Sequence, residues 1–105
     1  MADVLELDQA SFGKTVGSGV TLVDFWAPWC GPCMTQGPIV DKVAARVGGK
    51  AKVAKVNVDA APQVAAEFGI RSIPTLIIFK DGKAVKQFVG VQSEAQLVDA
   101  IDAAC

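Results

Sequence analysis

The sequence predicts an α/β fold, a central mixed β-sheet flanked by helices on both faces, and three observations lead there. Apolar strand-like runs alternate with helical patterns, the mark of strand–helix–strand units. The run Val20-Thr21-Leu22-Val23-Asp24-Phe25-Trp26 is apolar at both alternating sets of positions, as a strand covered on both faces must be. Near the C-terminus, Asp81-Gly82 joins two strand-like runs directly, so part of the sheet is antiparallel.

The elements follow in order. Ser11 to Val16 reads as a short helix closed by Gly17-Ser18-Gly19, and residues 20–26 form the buried strand. From Pro32 to Val47 the spacing turns helical, with Ile39, Val40, Val43, Ala44 and Val47 on one face and Gly48-Gly49 as the stop. Ala51 to Val58 is a second, Val-rich strand, and Pro62 to Phe68 a short helix ended by Gly69. Pro74 to Lys80 is a third strand, which turns at Asp81-Gly82 into Ala84 to Val89. Ser93 to Ala104 closes the chain as a helix, with Ser93 as N-cap and Leu97, Val98 and Ile101 facing inward.

The chain has 105 residues and is expected to be a single domain spanning 1–105. Hydrophobic residues make up 51% and charged residues 20%, enough for a core without staples. Ten basic and 11 acidic residues leave a net charge of −1, with no basic stripe for nucleic acid and no polybasic patch for a membrane. Mean hydropathy is +0.38, yet no apolar run approaches the roughly 18 residues of a membrane span. The start, Met1 to Asp8, is acidic and mixed rather than cationic then apolar, so a cytoplasmic location is expected.

Three cysteines are present, and Trp29-Cys30-Gly31-Pro32-Cys33 sets two of them at the junction of the buried strand and its helix. Positions three apart on a helix are neighbours, close enough for a disulfide that opens and closes. Free N–H groups and the helix dipole point at Cys30 and favour its thiolate. Cys30 is therefore expected to be the nucleophile and Cys33 the resolving thiol. Pro32 in the first turn loses no hydrogen bond. Half a zinc site and an inert structural bridge are the alternatives. A zinc site needs four ligands, while the chain holds no His and one further Cys, Cys105, at its end. No metal and no bound cofactor are expected beside the redox-active Cys30–Cys33 disulfide.

The motif, together with Val23-Asp24-Phe25-Trp26-Ala27-Pro28 before it and Ile73-Pro74-Thr75 after, resembles the thioredoxin family. The likeness runs from about Ser11 to the last helix and includes Val56-Asn57-Val58-Asp59 and Phe68-Gly69-Ile70-Arg71. It implies the thioredoxin fold, a protein-disulfide reductase acting as a general electron donor, and a partner reductase that carries flavin and draws on NADPH. Disulfide-containing proteins would be its substrates, and the chain itself a monomer. The resemblance also implies a cis Ile73–Pro74 peptide facing the cysteines. The Ile73 backbone would then pair with an extended substrate segment, in a shallow groove completed by Trp29, Gly31, Pro32, Gly90 and Val91.

Asp24 is a carboxylate within an apolar strand, where burial should raise its pKa and suit it to accept the proton of Cys33. Lys55 on the next strand is its candidate partner. Trp26 is expected to support the active-site loop, Trp29 to be exposed to substrate, and Pro38 to shape the helix that carries the cysteines. Met34-Thr35-Gln36-Gly37 departs from the family, which usually has a cation after the second cysteine. That departure bears on partner choice and potential. Cys105 is expected to be an incidental surface thiol, with an intermolecular disulfide or a thiol relay as the alternative. Two rivals to the reductase are a disulfide-forming or isomerising enzyme of the same fold and a binding module whose redox activity is incidental.

Overall fold

The strand at Val20–Trp26 is the axis of the molecule, hydrogen-bonded on both sides within a five-stranded sheet. A computed structural model describes residues 4–105; Met1, Ala2 and Asp3, the start of the segment read for a targeting signal, lie outside the described residues. The elements are β1 (Leu5–Leu7), α1 (Phe12–Val16), β2 (Val20–Trp26), α2 (Gly31–Val47), β3 (Lys52–Asn57), α3 (Pro62–Glu67), β4 (Thr75–Lys80), β5 (Lys83–Val89) and α4 (Glu94–Ala104). The strand order is β1-β3-β2-β4-β5. β1 and β2 run parallel to β3, whereas β4 is antiparallel to β2 and β5 to β4.

Side chains alternate across β2, and the two sets feed two cores. Val20 and Leu22 join Val53, Leu76 and Ile78 under Val40, Val43, Ala44 and Val47 of α2 and Leu97, Val98 and Ile101 of α4. Val23 and Phe25 join Ala54, Val56, Ile77 and Phe79 under Phe12 and Val16 of α1 and Val64 of α3. The helices thus cover both faces, as the double-sided apolar pattern of β2 requires.

The local signals act where the sequence puts them. Lys80 and Lys83 pair across a two-residue turn in which Asp81 has φ +50° and Gly82 φ +87°, the primed geometry that matches strand twist. Ser93 caps α4 by accepting from the Gln96 amide, while the Gln96 side chain accepts from the Ser93 amide, a full capping box. α2 ends at Val47; Gly48 follows at φ +55°, and the chain makes one further 3₁₀ turn over Gly48–Lys50.

One strand went unrecognised in the sequence. Leu5–Leu7 forms β1 at the sheet edge, in register with Ala54 to Val56. Three residues are too few for a period-2 pattern to stand out, and only Leu7 of the three is buried.

Candidate active site

The carboxyl end of β2 delivers Ala27-Pro28-Trp29 to the start of α2, and Cys30 sits there as N-cap. Its backbone is extended (φ −90°, ψ 113°), and its Sγ accepts from the Cys33 amide at 3.2 Å. The amide that would stabilise a thiolate at Cys30 is therefore already aimed at its sulfur, with the positive end of the 17-residue helix behind it. Cys30 and Cys33 are joined as a disulfide, with Cα atoms 5.3 Å apart. Cys33 is the deeper, at 2% exposure against 6% for Cys30. Gly31 and Pro32 between them are exposed in the first helical turn.

Ile73 and Pro74 stand opposite. Their peptide is cis, and the Ile73 carbonyl oxygen lies 3.6 Å from Cys30 Sγ. Pro74 is buried and Ile73 half-buried. The Pro74 carbonyl accepts from the Gly90 amide at 2.9 Å, which brings the segment after β5 to the same rim. Gly90 has φ +90°, a conformation that side chains disfavour. Around this rim Trp29, Met34, Val89 and Val91 are 69%, 49%, 59% and 42% exposed. Large apolar side chains are thus left in water near the disulfide.

Asp24 lies behind the disulfide. It lines a cavity of about 230 Å³ with Trp26, Cys33, Met34, Pro38 and Lys55. Its Oδ1 is buried with no hydrogen-bond partner, as is Trp26 Nε1. Burial pushes the Asp24 carboxyl up to about 7, against the smaller opposing pull of Lys55. Lys55 is beside Asp24 in the strand register, but its ammonium sits 5.0 Å above the Trp26 ring and makes no ion pair with the carboxylate. The lysine thus acts on Asp24 through space. Pro38 falls inside α2 without ending it, and withholds an amide from the Met34 carbonyl one turn back.

Two further residues hold segments that surround the cysteines. Asp59 accepts from Trp29 Nε1 at 2.7 Å and so orients the exposed indole; it stood within the family-like stretch at residues 56–59, but a carboxylate after a strand gives no sign of its partner. Gln36 is fully buried on α2 and bonds to the backbone of Gln92. In the sequence it was visible only as part of the unusual stretch after Cys33. Cys105 is exposed, with its sulfur 3.7 Å from the Lys50 carbonyl oxygen.

The strand–helix junction with its paired sulfurs, and the proline peptide facing them, point to one family of proteins. The family model described as Thioredoxin matches residues 3–103. The chain belongs to the thioredoxin family. It is 46% identical over 99 residues to the thioredoxin of Staphylococcus aureus, a match covering 94% of this chain and 95% of the relative. Among solved structures, the thioredoxin of Malassezia sympodialis superimposes with a TM-score of 0.90 at 36% identity, covering 99% of this chain and 92% of the other. A thioredoxin variant from Halobacterium salinarum gives 0.89 at 36% identity, with 97% and 90% covered. The fold is the thioredoxin fold, and the activity is that of a dithiol–disulfide oxidoreductase working through the Cys30–Cys33 disulfide without a cofactor. The family is generally recharged by a thioredoxin reductase and acts on disulfide substrates. Among the described residues, no helix is long and apolar enough to cross a membrane.

Proposed function

We propose that the chain works as a single-domain, monomeric protein-disulfide reductase in the cytoplasm, in which Cys30 attacks, Cys33 resolves and Asp24 takes the resolving proton. The reducing electrons come from a flavin-containing reductase that uses NADPH, and they pass to disulfide-bearing proteins held in the groove formed by Trp29, Gly31, Pro32, Ile73, Pro74, Gly90 and Val91. The observation that carries the assignment is the Cys33 amide directed at Cys30 Sγ, which favours the thiolate at Cys30 and not at Cys33.

The cycle balances as a two-electron exchange. The Cys30 thiolate attacks one sulfur of the substrate disulfide; that bond breaks, and the departing substrate thiolate takes a proton from solvent. Cys33 gives its proton to the Asp24 carboxylate, directly or across the cavity the two share, and the new thiolate attacks Cys30 Sγ. The second substrate thiolate leaves and is protonated, and Cys30–Cys33 is oxidised. A carboxyl with pKa about 7 is matched to this task near neutral pH. Trp26, with Lys55 above its ring, floors the cavity, and Pro38 lines its side.

Cys33→Ser, which can attack but not resolve, should trap a substrate protein as a mixed disulfide at Cys30, seen by intact mass and peptide mapping. Cys30→Ser should trap none. Trapping in the reverse pattern overturns the assignment of nucleophile.

A further inference from the structure

We infer that Gln36 is a positioning residue for substrate docking: it ties the Gly90–Gln92 segment to the helix that carries the cysteines. The inference deepens the groove reading above and rests on it.

Gln36 is three residues beyond Cys33 and so lies on the same side of α2, one turn deeper. The other inward residues of that helix beyond it, Val40, Val43, Ala44 and Val47, are all apolar. A side chain needed there only for volume would be apolar too, because burying an amide costs free energy unless it is fully bonded. The Gln36 amide is bonded, and to main chain alone. Its Oε1 accepts from the Gln92 amide at 2.7 Å, and its Nε2 donates to the Gln92 carbonyl at 3.1 Å. One side chain thereby satisfies both backbone groups of a loop residue, as a neighbouring strand would.

Gln92 passes the constraint on. Its own side-chain amide turns back and donates to the carbonyl oxygens of Gly90 at 3.2 Å and Val89 at 3.4 Å. The Gly90 amide donates to the Pro74 carbonyl, and the Ile73 carbonyl beside it is 3.6 Å from Cys30 Sγ. The contacts close a ring, from Cys30 through residues 73–74, 90 and 92 to Gln36 and back along α2. The exposed Val89 and Val91 ride on the part of this ring that Gln36 holds. The amide touches neither sulfur, so its effect falls on docking of a polypeptide and not on exchange at the cysteines.

The test compares a protein disulfide with a small one. Gln36→Leu keeps the volume and removes both hydrogen bonds. It should lower kcat/KM for insulin reduction about tenfold, mainly through KM. Its reaction with dithiobisnitrobenzoate, and its equilibrium with dithiothreitol, should stay within about twofold of the parent, since no group touching the sulfurs is lost. Gln92→Ala, which leaves the Gln36 clamp intact and removes only the links to Gly90 and Val89, should show the same split at about two- to threefold. Equal losses on both substrates overturn the inference, because the residue would then act on the fold or the cysteines. Unchanged insulin kinetics overturn it as well. If Gln36→Leu does not fold, Gln92→Ala decides alone, by the same two criteria. Failure of the groove reading itself looks different: the unmodified chain would then show no preference for insulin over the small disulfide.

Discussion

On the side of the sheet covered by α1 and α3, Phe12, Phe25, Phe68 and Phe79 meet at centroid distances of 5.1 to 6.4 Å, several of them edge-on or tilted. On the side covered by α2 and α4 the same strands present Leu22, Leu76 and Ile78, and then, toward the cysteines, Asp24 and Trp26 with unpaired polar atoms. The first face holds Thr21 as its buried polar residue on β2, and a hydroxyl carries no charge to solvate. The second holds a carboxylate whose ionisation opposes folding. The difference shows where the chemistry is placed: one layer supplies stability that the other gives up in part. β2 belongs to both, since residues 23 and 25 face one way and residues 22 and 24 the other.

Removing the aromatic cluster should break the contrast most strongly. Phe79 is fully buried and lies edge-on to both Phe12 and Phe68, and Phe79→Ala should cost up to about 5 kcal/mol of folding free energy, read by denaturant unfolding, while the Cys30–Cys33 potential stays where it was. A shifted potential would mean that the two faces are coupled.

Asp24→Asn should do the opposite, raising stability and slowing resolution. Its folded pKa of about 7 stands above the ordinary 3.8, so the native state holds a proton that the unfolded chain has released. Stability is therefore lost as pH rises from about 4 to 7 and levels off above. The gain from the Asn variant should be near zero below pH 4 and reach about 4 kcal/mol above pH 7, since each pH unit between the two pKa values is worth about 1.36 kcal/mol. Unfolding titrations across pH 4–8 measure it, and a pH-independent gain would count against a buried, titrating Asp24. Release of the mixed disulfide should slow in the same variant.

Ser93→Ala sharpens the comparison at its smallest scale. It removes the α4 capping box, which belongs to the reactive face but not to its chemistry, and should cost about 1 kcal/mol with insulin reduction unchanged. A loss of reduction with it would place the start of α4 within the docking surface.

Those predictions use features that differ in how openly the sequence carries them. β2, α2, β4, the Asp81-Gly82 turn and the Ser93 cap were legible because each rests on a local signal, an apolar period or a turn or cap residue with its own conformational preference. β1 was not, since its three residues gain their strand state by pairing with β3. The cysteines and Asp24 stood out by residue type and setting, and Pro74 through the family likeness. Gln36 and Asp59 did not, because a glutamine in a helix and an aspartate in a loop take their meaning from partners 56 and 30 residues away. Lys55 was legible as a neighbour of Asp24 but not in its pose, which the Trp26 ring decides.

The central place of β2 has a consequence during synthesis. Its parallel neighbour is complete only at residue 57 and its antiparallel neighbour only at residue 80. At roughly 5–20 residues per second of translation, one edge of this apolar segment waits unmet on the order of seconds, a template for pairing with other nascent chains. In that unfolded stretch Asp24 is hydrated and ionised at neutral pH, and it sets a negative charge in the middle of Val20-Thr21-Leu22-Val23-Asp24-Phe25-Trp26. A charge so placed interrupts an aggregation-prone window. The carboxylate that costs the finished protein stability is thus a gatekeeper for the unfinished one.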